Sequence, residues 1–167
     1  MRNLLPFKLE AKILEVEEQQ AYILGAMLTL ANRLQVLGDK LDDKITMKQW
    51  LLIAVILKSG SSAPALSEIA GIFGSSRQNV KKMALLLEKQ GFVALAKDKA
   101  DARILRVQLT KKCMEYFAGR SREEEQFMET LFQAFNAELT NGLYSGLVRL
   151  QENIAQMEAK SSHEEKE

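Results

Sequence analysis

Six hydrogen-bonding side chains crowd into one stretch of eight residues: Ser75, Ser76, Arg77, Gln78, Lys81 and Lys82. Side chains of these types do not make or break bonds on their own. They donate to phosphate oxygens and to the edges of bases. A second cluster follows in Lys97-Asp98-Lys99-Ala100-Asp101-Ala102-Arg103, which holds no strand former and reads as the exposed tip of a hairpin. Lys99 and Arg103 are its candidate contacts. An arginine on a narrow loop can enter a minor groove, where the potential is most negative over A·T-rich duplex. Asp101 would repel phosphate, so its place is to orient an arginine or to cap the turn.

The charge distribution points the same way. Formal net charge is only +1. Yet residues 75–112 carry ten basic and three acidic side chains, while residues 113–167 carry five and eleven. A compact basic segment inside a neutral chain is the footprint expected of polyanion binding.

Other chemistries lack their residues. One cysteine excludes a disulfide framework and a cysteine-based zinc site. One histidine, His163, lies in a polar tail and leaves the serines without a base. Glu123, Glu124 and Glu125 are adjacent and diverge by about 100° on a helix, so they cannot converge on a metal ion. No phosphate-cradling glycine loop or dinucleotide fingerprint is present. The expectation is a non-enzyme with no metal and no cofactor. Cys113 reads as an inert, small apolar side chain, although a helix N-terminus can lower a thiol pKa. Met27, Trp50, Met83 and Met157 read as core rather than as a ligand box.

These candidate contacts need a scaffold. The chain has 167 residues, 47% of them apolar and 27% charged, which suits a globular protein with a core of its own. No apolar run approaches the ~20 residues that span a bilayer. The first residues are too short in apolar length for a signal-peptide core, so the expected location is cytoplasmic. Apolar residues at helical spacing predict a long helix from about Leu9 to Leu41. Thr46-Met47-Lys48-Gln49 matches a capping box and opens a helix to about Lys58, apolar nearly all round and expected at the centre of the core. A third helix runs over about 65–73 and stops at Gly74. A second capping box, with Ser75 as N-cap and Gln78 three residues on, opens a fourth helix that ends near Gln90, before Gly91. Residues 92–96 and 104–109 read as strands. Thr110 caps a fifth helix to about Glu138, Thr140-Asn141-Gly142 breaks it, and a sixth carries Leu143, Leu147, Leu150, Ile154 and Met157. Steps of four and three suit packing along a partner helix. Residues 161–167 read as a frayed polar tail.

Three helices, a capped turn and a two-stranded hairpin with a basic tip make a winged helix-turn-helix. On a helical wheel Met83, Ala84 and Leu87 fall within about 60° of Val80 and form the buried stripe. Gln78, Lys82 and Lys89 face away from it, with Arg77 and Lys81 on one flank. The predicted class is mainly α with a small β-hairpin (α+β). The expected divisions are a dimerisation helix in 1–45, a DNA-binding domain in 46–109, dimerisation helices in 110–160 and the tail.

The stretches ITMKQW (45–50), LSEIAGIFGSSRQNVKK (66–82), LEKQGFV (87–93) and DKADARILRVQLT (98–110) resemble the MarR family of bacterial transcription regulators. The motifs cover about two-fifths of the chain; the flanking helices match by pattern only. The resemblance implies a homodimer that places a recognition helix in the major groove and a wing in the minor groove. It also implies release from DNA by a small lipophilic or phenolic effector. Some relatives respond to oxidation of a cysteine in the first helix, where this chain has none. Two departures stand out. Ala102 replaces the arginine usual between Asp101 and Arg103. Leu85 and Leu86 stand where charged residues are usual; either they contact the dimer helices or they form an exposed apolar patch.

The expected function is a sequence-specific double-stranded DNA-binding regulator, a repressor reading an inverted repeat as a homodimer, with no membrane association. The alternative from another class is a winged-helix interaction module whose basic face meets an acidic protein.

Overall fold

The computed structural model describes residues 15–164, with side chains described to Ser161. The first six residues of the predicted first helix, residues 9–14, and the side chain of His163 lie outside that description, and α1 is seen as Val16–Gly38. The chain divides into two compact units at Glu115 and Tyr116.

The first unit holds α1 and a winged helix. Helix α2 (Met47–Lys58) opens as the sequence predicts: Thr46 Oγ1 accepts from Gln49 N–H at 3.3 Å, and Thr46 N–H donates to Gln49 Oε1 at 3.0 Å. Gly38 ends α1 close against α2; a Cβ there would overlap Met47 Cε and stand 3.0 Å from Met47 Cβ, so a larger residue would have to displace the Met47 side chain. Helix α3 (Leu66–Phe73) ends at Gly74, whose φ of 67° is the left-handed conformation that lets the turn reverse. Helix α4 (Arg77–Lys89) then leads through Gly91, φ 79°, into strands β1 (Val93–Lys97) and β2 (Leu105–Leu109). The strands pair antiparallel from Val93↔Leu109 to Lys97↔Leu105. Ala65 bridges Arg106, and Val107 N–H donates to Pro64 O at 3.1 Å, so the α2–α3 loop joins the hairpin as a one-residue third strand.

The core lies between these elements. Leu52, Ile53 and Ile56 of α2, Ile69 and Ala70 of α3, and Val80, Ala84 and Leu87 of α4 are buried with Phe92, Val93 and Val107. The predicted stripe of α4 is therefore the observed one, with Met83 half-buried at its edge. Helix α2 is less central than its composition suggests. Only one face is buried; Leu51, Leu57 and Trp50, 38% exposed, point out of the core. An all-apolar helix needs cover on every side, and this chain covers one.

Helix α5 (Lys111–Ala118) crosses the division between the units. Thr110 caps it as predicted, its Oγ1 accepting from Cys113 N–H at 3.2 Å. The helix does not run on to Glu138. It stops before Gly119-Arg120, and α6 (Ser121–Leu131) follows. The next break falls at Phe132–Asn136, not at Thr140-Asn141-Gly142, because Asn136 Oδ1 caps α7 (Ala137–Glu164) by accepting from Leu139 N–H at 2.8 Å. Thr140 Oγ1 donates back to Asn136 O at 2.8 Å and stays helical. A lone glycine such as Gly142 costs about 1 kcal/mol in a helix interior and does not end it. The helix continues through residues 161–164, which the sequence reading places in a frayed tail. Met157 is 67% exposed, not core.

Candidate nucleic-acid interface

The turn between α3 and α4 is built from backbone bonds. Ser75 N–H donates to Ala70 O at 3.2 Å and Gly74 N–H to Gly71 O at 3.3 Å, which satisfies two of the last four carbonyls of α3. That commits Ser75 to closing α3. The N-cap of α4 is therefore Ser76, one residue later than predicted: its Oγ accepts from Asn79 N–H at 3.3 Å. The predicted capping box with Gln78 does not form, since the third helical residue is Asn79.

This shift leaves Gln78 free of capping duty. Arg77, Gln78, Lys81 and Lys82 are all exposed, Ser76 is exposed beside them, and Ser75 is half-buried in the turn. Among the described residues no carboxylate pairs with Arg77, Lys81, Lys82 or Lys99. Four cations thus stand without counter-charge, three of them on the first turns of a helix whose N-terminus adds a positive dipole end. Asn79, not singled out by the charge pattern, is exposed in the same first turn. Its carboxamide is suited to an adenine edge. Leu85 and Leu86 are 47% and 55% exposed, an apolar patch in the second half of the same helix.

The wing has two ion pairs in series. At the tip, Arg103 Nε and Nη2 donate to the Asp101 carboxylate, the closest contact being 2.8 Å. Asp101 also accepts from Arg103 N–H at 2.9 Å. Asp101 thus grips the Arg103 guanidinium from two residues away, and the arginine side chain remains 89% exposed. The hydrogen bonds from Arg103 lower the Asp101 pKa, and Asp101 in turn raises that of Arg103. At the base, a pair not foreseen joins Asp98 Oδ2 to Arg106 Nε. Asp98 Oδ1 accepts from Ala100 N–H at 2.8 Å and Asp101 N–H at 3.0 Å. The Arg106 hydrogen bond, then these two N–H groups, hold the Asp98 pKa down to about 2. The clue was an arginine at an outward strand position, eight residues after an aspartate, which alternation alone does not mark as paired.

Cys113 has no exposed surface, and burial pushes its thiol up to about 11. The thiolate is the reactive form, so burial disfavours reaction of this thiol at neutral pH. Among the described residues no cluster of acidic, histidine or cysteine side chains could hold a metal ion, and no helix is long and apolar enough to cross a membrane.

No family model matches the sequence, and no curated protein matches it either. Solved structures do match. A MarR-family transcriptional regulator, AbsC from Streptomyces coelicolor, is similar at TM-score 0.71 with 18% identity, over 87% of this chain and 99% of that one. FabT of Streptococcus pneumoniae, solved in complex with DNA, is similar at 0.61 with 18% identity, over 83% and 99%. BpsR of Bordetella bronchiseptica, whose DNA binding is regulated by 6-hydroxynicotinic acid, is similar at 0.64 with 20% identity, over 77% and 98%. The chain has the fold of the MarR-family regulators, mainly helical with a winged helix-turn-helix and a two-stranded hairpin.

Proposed function

We propose that this protein is a homodimeric, sequence-specific double-stranded DNA-binding transcriptional regulator, a repressor that reads an inverted repeat and is released by a small lipophilic or phenolic effector. The observation that carries the reading is the exposed, uncompensated cationic face of α4 beside a wing that displays Arg103. Arg77, Lys81, Lys82 and Lys99 neutralise phosphates; Ser75 and Ser76 donate to the backbone; Gln78 faces base edges; Arg103, fixed by Asp101, enters the minor groove. Duplex binding by FabT and effector control of BpsR support the same use of this fold.

The dimer reading rests on apolar surface. On α7, Leu139, Leu143, Leu147, Ile154 and Met157 are exposed, and on α1 so are Val16, Leu24, Leu28 and Val36. Residues 1–45 and 110–160 are the dimerisation segments in this reading, and 46–109 the DNA-binding domain. Two recognition helices related by a two-fold axis then read half-sites about 10 base pairs apart.

Selection of bound sequences from a random duplex library by the purified protein tests the reading. An enriched inverted repeat is expected; a folded dimer that enriches nothing, with or without candidate phenols, contradicts it. The exposed Leu85 and Leu86 favour a second reading, in which the basic face docks an acidic protein. That reading predicts a salt-sensitive protein complex and no preference among duplex sequences.

A further inference from the structure

We propose that Arg106 is a positioning residue for the wing: its bridge from Asp98 to the α2–α3 loop sets the angle at which Arg103 meets duplex DNA. The inference rests on the DNA-binding reading and adds a residue to it.

The geometry is a strap with both ends fixed. Arg106 Nε holds Asp98, and Arg106 Nη1 donates to Ala63 O at 3.0 Å. On the body side, Pro64 is fully buried, its carbonyl accepts from Val107 N–H, and Ala65 bridges Arg106. On the wing side, Asp98 gathers the turn by accepting from Ala100 and Asp101, the residue that grips Arg103. Asp98 N–H also donates to Ile104 O, and Ile104 N–H to Asp101 O, each at 2.9 Å. One guanidinium therefore couples the buried loop to the carboxylate that shapes the tip.

A two-stranded ribbon twists readily without such a tie. Arg103 lies three residues beyond Arg106, about 10 Å at ~3.3 Å per residue. A swing of roughly 10° at the base would move its guanidinium by about 2 Å, more than a hydrogen bond tolerates. The planar fork matters, since an ammonium is a point charge and does not span two acceptors in fixed directions. Exposure separates the two pairs: the side chains of Arg106 and Asp98 are 39% and 14% exposed, against 89% and 33% for Arg103 and Asp101, so the inner pair is the more buried and the outer pair faces solvent.

A double-mutant cycle on the full chain tests this, using the duplex recovered by library selection. Arg106→Gln and Arg103→Ala are each expected to weaken binding about tenfold, with the double variant no weaker than Arg103→Ala alone. Hydroxyl-radical protection should disappear only at the outer minor grooves, and the thermal midpoint should stay in place. Effects that multiply to about a hundredfold, or an Arg106→Gln variant that binds like the parent, would overturn the inference. If Arg106→Gln does not fold, Arg106→Lys takes its place in the cycle with the same expected coupling. A parent protein that binds no duplex selectively fails the functional reading and this inference with it; selective binding with independent effects fails the inference alone.

Discussion

The two units of the chain solve opposite problems. In the first, α2, α3, α4 and the hairpin bury a common core and leave outside a face of unpaired cations. In the second, not one residue from Tyr116 to Ser161 is buried, and leucines line the outside of α7. Charge divides along nearly the same line: basic side chains outnumber acidic ones ten to three in 75–112, and acidic outnumber basic eleven to five in 113–167. The first region closes a core and leaves cations uncompensated; the described residues of the second bury no side chain of their own. In the function proposed above, polyanion neutralises the first region and a second copy covers the second.

The largest expected effect breaks the second half of that comparison. Leu143→Glu with Leu147→Glu removes two apolar anchors per protomer; at about 1.5 kcal/mol for each buried leucine, roughly 6 kcal/mol is lost per dimer. Sedimentation should report a monomer, and duplex affinity should fall with it. A dimer that survives would place the interface elsewhere.

Next in size, Lys81→Glu with Lys82→Glu should reduce duplex binding by about a hundredfold or more at moderate salt, with the folded state unchanged within about 0.5 kcal/mol. Arg103→Ala should cost about 1–3 kcal/mol in binding. It should barely alter the salt dependence, since Asp101 already neutralises that arginine. Anisotropy titrations at several salt concentrations separate the two behaviours.

Gly74→Ala should destabilise the first unit by about 1–2 kcal/mol, because alanine at φ 67° is strained even though the space is open. Chemical denaturation measures it. The smallest effects concern titration. Asp98 has a depressed pKa, about 2 against an ordinary 3.8, so its pairing contributes above pH 3.8 and is lost only as pH falls through about 2. Cys113, pushed up to about 11, should resist alkylation in the native protein at neutral pH, and peroxide should leave binding unchanged.

The first unit was more legible in sequence than the second for a physical reason. Caps and left-handed glycines are local signals, and Thr46, Gly74, Gly91 and Thr110 each act within a few residues of their place. The cap of α4 slipped by one residue because the choice between Ser75 and Ser76 depends on the closing bond from Ser75 to Ala70, in the preceding helix. In 110–164 the break chosen from Thr140-Asn141-Gly142 lost to Asn136, a better cap with no apolar pattern to announce it. Trp50 and Met157 show the limit of reading core from residue type: composition says that a side chain avoids water, not which chain covers it. At the site, exposed cations could be read from charge and helical phase, whereas the Asp98–Arg106–Ala63 strap depends on a loop 43 residues away in sequence.

The central claim is that uncompensated cations of the first unit hold duplex DNA, and the salt dependence of binding tests it most directly. Four phosphate contacts per protomer, doubled in a dimer, predict a slope of about −7 in log affinity against log salt, at ~0.9 per phosphate. Replacing Lys82 by Gln should reduce that slope by about 2. A shallow slope, or one that Lys82→Gln leaves unchanged, would contradict the account.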